Sequence, residues 1–346
     1  MNKILLEDLE SILSETLSWE KLRGKTVLIT GASGMVGSYL MNTLLRLNDV
    51  RNFGVTVIAM VRNPGKLSEE VRSRSDVTVC QHDVTAPLTL EGPVHYVIHA
   101  ASPASPLIMQ NHPVATIAAN TLGTYNTLML AKEKQAEGYL FISSREIYGQ
   151  PNENQEFFKE DTYGFVDQLN PRSCYSEGKK AAETMCASFA AEFGLNARIV
   201  RLAHTYGPGM SIYDGRVQAD FLKNVVHHED IVLKSQGTAI RTYTYIADAI
   251  AGLFRVILDG ADMVYNIGNE AGKVSIRELA ETMVTIYPER GLKLVFDIPE
   301  GGTKGTAPFT LGILSSEKLR SIGWNPRYSV KDGFRRTLEY LESEGV

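Results

Sequence analysis

Residues 26–37 read Thr-Val-Leu-Ile-Thr-Gly-Ala-Ser-Gly-Met-Val-Gly, and this stretch decides the fold. An aliphatic and β-branched run, Thr26 to Thr30, predicts a short buried strand. Gly31, Gly34 and Gly37 follow at intervals of three, and a helical pattern begins at Ser38-Tyr39-Leu40. Strand, glycine turn and helix start together make an anion site. Glycines let the backbone turn tightly and approach a pyrophosphate, while the helix start offers unpaired N–H groups and the positive end of its dipole. The spacing is GxxGxxG rather than GxGxxG, and a glycine loop needs its context before it means a ligand.

That context lies on both sides of the loop. Residues 55–61, 77–80, 94–98, 139–143 and 197–202 are apolar runs of strand length. Helical patterns at 38–47, 111–134 and 175–193 separate most of them. Apolar strands alternating with helices predict a parallel sheet covered on both faces, with ligands at the carboxyl ends of the strands. Upstream, residues 3–18 carry Ile4, Leu5, Leu9, Ile12, Leu13 and Leu17 at near-helical spacing, an amphipathic helix laid on the outside of the nucleotide domain. After Tyr206-Gly-Pro-Gly209 the alternation breaks, with Gly and Pro at 301–308. Residues 241–267 read as a helix and strand returning to the main sheet. The expected division is a helical extension at 1–22, a nucleotide-binding domain at 23–206 joined by 241–267, and a smaller substrate lid at 207–240 and 268–346.

The chain has 346 residues, 44% hydrophobic, which suffices for one large or two modest cores. A net charge of −5 supplies no basic field for nucleic acid. Cys80, Cys174 and Cys186 show no paired spacing, which points to a reducing compartment and to neither disulfides nor zinc. The N-terminal apolar run is broken by acids and does not read as a signal peptide, and no stretch is long enough to span a bilayer. A cytoplasmic protein is expected.

Tyr175-Ser-Glu-Gly-Lys179 puts a phenol and an amine one helical turn apart. A cation there should lower the phenol's pKa, and such a tyrosine can take a proton from a sugar hydroxyl. Ser143-Ser144-Arg145-Glu146 follows the fifth strand. Ser144 can hydrogen-bond a reacting oxygen, Glu146 can be a second acid or base, and Arg145 an anion contact; the last two also fit a solvated pair on a turn. Arg201, Arg216 and Arg241 offer forks suited to diphosphate or to ordinary salt bridges. His204 has no ligand partners in metal spacing, so no metal site is expected.

Together these residues resemble the extended short-chain dehydrogenase/reductase family, of which the GxxGxxG variant is typical, and within it the NAD-dependent epimerase/dehydratase enzymes of nucleotide sugars. The resemblance runs from about Gly24 to Leu341. It rests on Gly31-Ala-Ser-Gly34-Met-Val-Gly37, Asp83-Val84, His99-Ala-Ala-Ser102, Asn120-Thr-Leu-Gly-Thr124, Ser144, Tyr175 with Lys179, and Arg201 through Tyr206-Gly-Pro208. It implies a Rossmann-type doubly wound sheet with a smaller C-terminal substrate-binding α/β lid. It also implies a Ser144, Tyr175 and Lys179 triad. NAD or NADP would then lie along Gly31, Ser33, Gly34, Met35, Val36 and Gly37, with Asp83 and Val84 at the adenine and Ala100, Ala101, Ser102 and Asn120 along its middle. Lys179 would hold the nicotinamide ribose. Pro171-Arg-Ser-Cys-Tyr175, Asp214-Gly-Arg216 and Arg241-Thr-Tyr-Thr-Tyr245 look most like the UDP-glucuronate decarboxylase group, and Glu146 matches a glutamate of decarboxylases and 4,6-dehydratases. By the same resemblance Arg216 and Arg241 face the diphosphate, and Ser102, Arg145 and His204 complete the substrate contacts.

Four departures stand out. Arg145 occupies a position where decarboxylases carry serine and dTDP-sugar dehydratases aspartate. His204 replaces the usual asparagine. Phe309-Thr-Leu-Gly-Ile-Leu-Ser-Ser lacks the decarboxylases' basic residues. The second strand ends Met60-Val61-Arg62, without the acid that accepts from a ribose hydroxyl, and Arg62 could meet a 2′-phosphate instead. The leading expectation is an enzyme that oxidises C4 of a nucleotide sugar to a 4-keto intermediate and then epimerises, eliminates or decarboxylates it. The alternatives are an NADPH-dependent 4-keto reductase and a non-catalytic dinucleotide-binding protein. Surplus apolar positions at 111–134 and 175–193, with the family's habit of pairing these helices, imply a homodimer.

Overall fold

The computed structural model describes residues 1–151, 155–298 and 312–346. Its strands in chain order are β1 (Thr26–Thr30), β2 (Thr56–Val61), β3 (Val77–Gln81), β4 (Tyr96–His99), β5 (Gly138–Ser144), β6 (Ala197–Leu202), β7 (His204–Tyr206), β8 (Ile231–Leu233), β9 (Ile240–Tyr245), β10 (Val264–Ile267), β11 (Lys273–Ser275) and β12 (Leu294–Phe296). The helices are α1 (Lys3–Leu13), α2 (Met35–Arg51), α3 (Glu69–Arg72), α4 (Pro106–Asn111), α5 (Pro113–Glu133), α6 (Cys174–Phe193), α7 (Val217–Val226), α8 (Ile246–Asp259), α9 (Ile276–Val284), α10 (Glu317–Ser321) and α11 (Val330–Ser343).

Seven strands form one sheet in the order β3-β2-β1-β4-β5-β6-β10, every pair parallel. The two-residue alternation of strands sorts the side chains onto two faces. Val27, Ile29, Val57 and Ala59 enter one core with α1, α2 and α8, while Leu28, Ile58, Met60 and Val97 enter a second core with α5 and α6. Strand order turns back between β1 and β4, so the ends of these two strands open a crevice at Thr30 and His99, a matched pair in the register.

A smaller sheet, β11-β9-β7, and the pair β12-β8 lie beyond the main one. Residues 241–245 therefore belong to the smaller sheet; only α8 and β10 return to the main body. Thr242 and Arg241 pair there with Lys273 and Val274. The helix expected at 111–134 is α5, which begins two residues later at Pro113, and a short α4 that was not expected ends just before it, since Pro113 without its N–H suits a helix start and cannot continue α4. Residues 301–308 and Phe309 to Leu311, named above for their composition, lie outside the described residues.

The N-terminal helix is shorter than 3–18 and more deeply seated than a surface cover. Leu9, Ile12 and Leu13 are buried, and Asp8 is buried beside them. The Asp8 carboxylate accepts from Tyr39 at 2.9 Å, Tyr245 at 2.7 Å and Arg336 Nη2 at 2.7 Å. It thus ties α1 to α2, β9 and α11. Burial raises the Asp8 pKa against these donors, of which Tyr245 opposes it most. Asp8→Ala strands two phenols and a guanidinium, so it is expected to cost about 3–5 kcal/mol in urea unfolding, the range for breaking a buried ion pair. A loss no larger than that of Tyr39→Phe would show the carboxylate to be dispensable.

Candidate active site

Gly31 has φ +68°, a left-handed turn that ends β1. A Cβ on Gly31 would lie 2.9 Å from Ala101 Cα, and one on Gly37 would lie 2.2 Å from the Gly31 carbonyl oxygen. The loop is therefore closed tightly enough that only glycine fits. Gly34 N–H donates to Gly31 O at 2.9 Å, and Gly34 caps α2 without any side-chain hydrogen bond. The first-turn N–H groups of Met35, Val36 and Gly37 then have no acceptor within the helix. Ser33 sits in the same turn. This cradle fits the diphosphate of a dinucleotide.

Thr30 joins the loop to β4. Its hydroxyl oxygen accepts from Ala100 N–H and Ala101 N–H, each at 3.1 Å, which leaves its proton for His99 Nδ1 at 2.8 Å. His99 therefore carries its proton on Nε2, an atom buried without a hydrogen-bond partner among the described residues. Burial, and then the Lys179 charge, push the His99 pKa down to about 3, so the ring is neutral. Next to this turn, Ser102 Oγ donates to Asn120 Oδ1 at 2.9 Å and Asn120 Nδ2 donates to Thr116 O at 2.9 Å. Asp83 accepts from Thr85 N at 2.9 Å and Thr85 Oγ1 at 2.8 Å, and these bonds with the Arg62 charge hold its carboxyl below the usual range. Val84 is buried and Arg62 is exposed at the end of β2.

Ser144 ends β5, and its hydroxyl accepts from Glu146 N–H at 3.2 Å and hydrogen-bonds the Tyr175 phenol. Tyr175 and Lys179 lie in the first turns of α6, and both are buried. Lys179 Nζ donates to Ile142 O at 2.6 Å and sits 4.5 Å from the centre of the Phe141 ring and 5.8 Å from that of Tyr175. The expected lowering of the phenol's pKa is overturned for the protein's own groups. Burial first, and then the Glu146 charge, push Tyr175 up to about 12. The lysine's charge is spent on a backbone carbonyl and an aromatic face, and burial lowers Lys179 itself to about 7.

Glu146 is no solvated turn residue. Both of its carboxylate oxygens accept from the Arg172 guanidinium, each at 3.1 Å. Sequence reasoning missed Arg172, whose place on the turn before α6 was the available signal. Arg145, its neighbour, is buried, and burial lowers its pKa to about 10. It converges with residues far along the chain: a Cβ on Gly312 would meet His204 Cε1 at 3.1 Å, Arg241 Cδ at 3.1 Å and Arg145 Nη1 at 3.4 Å. Burial holds His204 neutral, with the Arg145, Arg241 and Arg216 charges adding to it in that order. Arg216 Nη2 donates to Ala104 O at 3.1 Å and Arg216 pairs with Asp214 at 3.4 Å, which ties the start of α7 to the loop after β4. Arg201 stands apart. It pairs with Glu183 at 2.7 Å and donates to Tyr148 Oη at 2.8 Å, so it is a structural partner and does not face the cleft as a free fork. Among the described residues no group of three or more His, Cys, Asp or Glu side chains could hold a metal ion, and no helix is long and apolar enough to cross a membrane.

A doubly wound sheet, a glycine cradle at its switch point and a Tyr-x-x-x-Lys helix beside a serine at a strand end define the dinucleotide-binding enzymes of the short-chain dehydrogenase type. The chain belongs to the NAD dependent epimerase/dehydratase family, whose profile matches residues 27–268. It is 33% identical over 308 residues to UDP-glucuronic acid decarboxylase 6 of Arabidopsis thaliana, covering 89% of this chain and 86% of that one. Two solved structures share the fold. One is UDP-glucose 4-epimerase with UDP-glucose from Thermotoga maritima (TM-score 0.77, 22% identity, 93% of this chain and 100% of that one). The other is dTDP-glucose 4,6-dehydratase from Bacillus anthracis in complex with NAD (TM-score 0.72, 17% identity, 92% and 97%). The protein is therefore an enzyme of this epimerase/dehydratase family.

Lys179 at about 7 against an ordinary 10.5 means that the unfolded chain binds more protons than the folded one between those values. Stability from this group therefore rises with pH across that window and is least below it. Lys179→Met is expected to flatten the stability–pH curve between pH 7 and 9, by up to about 1.4 kcal/mol per pH unit. Equal slopes for variant and wild type in urea unfolding would refute the burial cost.

Proposed function

We propose that this enzyme oxidises C4 of a UDP-sugar acid and decarboxylates the 4-keto intermediate, as a UDP-glucuronate decarboxylase does. The observation that carries the reading is Glu146 placed beside Tyr175 at the β5 end, with Arg145, Arg216 and Arg241 gathered around a neutral His204. The likeness to the Arabidopsis decarboxylase supports it.

In this reading the glycine loop, Asp83, Ser102, Asn120 and Lys179 hold the dinucleotide, which when bound supplies a hydride acceptor and a positive charge near the phenol. Tyr175 takes the proton of the C4 hydroxyl, and Ser144 hydrogen-bonds the same oxygen. The 4-keto product of a sugar acid is a β-keto acid. Its C5–carboxyl bond breaks, carbon dioxide leaves, and the electron pair passes into the enolate of the ketone. Glu146 serves the proton transfer at C5, and the bound dinucleotide would supply the hydride that restores the C4 hydroxyl, with Tyr175 giving back the proton. Arg145 holds the sugar's anionic group by charge-assisted hydrogen bonds, and Arg216 and Arg241 face the diphosphate.

Glu146→Gln is expected to leave nucleotide-sugar binding nearly intact and to lower turnover by roughly two or more orders of magnitude, the scale of a lost general acid–base. Absorbance of reduced nicotinamide should still rise in a single turnover of Glu146→Gln and not in Tyr175→Phe. Wild-type turnover in Glu146→Gln would favour simple epimerisation.

A second reading, a net 4-keto reductase using NADPH, is favoured by one observation: Arg62 stands exposed where an acid would serve NAD. It requires NADP(H) to bind at least as well as NAD(H), and a strong NAD preference in calorimetry would reject it.

We further propose a homodimer through α5 and α6. Val114, Leu122 and Tyr125 are exposed along α5 although it packs closely on α6. Sedimentation at micromolar concentration should give a dimer; a monomer boundary would count against this pairing.

A further inference from the structure

Glu146 and Tyr175 make opposing demands. A carboxylate close enough to serve C5 raises the cost of ionising a neighbouring phenol. The groups that face Tyr175 are the Ser144 hydroxyl, the Glu146 carboxylate and the Arg216 and Arg172 guanidiniums. Lys179 Nζ lies 5.8 Å from its ring, and the buried Cys174 thiol beside it points to the Met109 and Arg172 carbonyls. Glu146 is the carboxylate in that set.

Arg172 meets Glu146 fork to fork, Nη1 to Oε2 and Nη2 to Oε1, each at 3.1 Å. Its own place does not depend on that contact. The turn Pro171–Ser173 is set by Asn170, whose side chain accepts from Arg172 N–H at 3.0 Å and whose carbonyl accepts from Ser173 N–H at 2.8 Å. Glu146 is approached from the other side by the Ser144 turn. Two independently fixed backbone segments thus hold the pair together, and a planar fork permits only one orientation of the carboxylate.

We propose that Arg172 is a positioning residue for the reaction: it fixes the Glu146 carboxylate toward the sugar and screens its charge from the Tyr175 phenol. This rests on the reading of Tyr175 as the C4 base. Loss of Arg172 removes a cation and unmasks an anion, and both changes act in one direction on the phenol. Burial and Glu146 raise Tyr175, whereas Arg172 lowers it.

The test follows reduced nicotinamide by stopped flow on mixing enzyme, NAD⁺ or NADP⁺ and UDP-glucuronate across pH. Arg172→Gln should move the acid limb of the hydride-transfer rate up by about one pH unit, the small end of what a neighbouring opposite charge does, so that rates on the limb fall about tenfold. Glu146→Gln should move the limb down, and the double variant should return it toward the wild-type position. Arg172→Lys keeps the charge without the fork. It should leave the limb in place while net product formation falls. An Arg172→Gln variant that is slower at every pH with an unmoved limb, and a double variant no better than the single, would show a merely structural residue. If wild type reduces no cofactor with UDP-glucuronate, or Tyr175→Phe reduces it equally fast, the substrate or base reading has failed. The screening is then read on the protein alone by ¹³Cζ-tyrosine NMR, with the Tyr175 signal identified by its loss in Tyr175→Phe. An unshifted Tyr175 titration in Arg172→Gln overturns the proposal.

Discussion

The carbonyl oxygen of Gly31 occupies the space where a Cβ on Gly37 would stand, 2.2 Å from it. No other residue type allows α2 to approach the end of β1 so closely, and much of the site depends on that approach. It directs the uncapped first turn of α2 at the crevice and brings Gly31 against Ala101, so that the β1 and β4 ends share one wall. Thr30 completes the junction by holding two N–H groups and one imidazole with a single hydroxyl. A backbone constraint thus places the glycine cradle, and the Thr30 hydrogen bond then fixes the tautomer of the neutral His99 beside it.

The parallel sheet was legible because each of its strands is an apolar run bounded by polar or glycine-rich ends. Thr26–Thr30 and Ala197–Leu202 coincide with the strands expected there, and those expected at 55–61, 77–80, 94–98 and 139–143 differ by a residue or two. The cradle and the Tyr175–Lys179 turn were legible because their spacing is itself the chemistry. Arg172 was not, since its value comes from Glu146, 26 positions away, and only the fold brings them together. The short α4 before Pro113 was not read at all, because six residues are too few to show a helical period. Residues 241–245 were grouped with the helix and strand that return to the main sheet, whereas they form a strand of the smaller one, because hydrophobic periodicity does not reveal which sheet accepts a segment. Phenol acidity failed for a different reason: adjacency along a helix gives proximity but not burial, and burial outweighs the lysine's charge here.

Low polarity shapes the whole cleft. Burial holds Lys179 near 7, His99 near 3, His204 well below its usual value and Arg145 near 10. Each shift disfavours a positive charge, yet the sequence gathers Arg145, Arg216 and Arg241 in that region. Cations concentrated against a desolvation cost are relieved most by an anion, since the same low dielectric that penalises them strengthens their attraction to it. The two histidines contribute no charge of their own and can offer only hydrogen bonds.

The four residues that end β5 and turn away from it each meet a different set of partners. Ser143 is turned inward to Glu183, within a bridge that also binds Arg201 and Tyr148 and braces α6 against β6. Ser144 faces the phenol, Arg145 faces His204 and Arg241, and Glu146 faces Arg172. Successive side chains thus enter four different surroundings, because a strand that passes into a tight turn directs each side chain differently. Substitution at one of these positions can change the reaction without disturbing the glycine cradle or the sheet, so one fold can serve epimerases, dehydratases and decarboxylases alike.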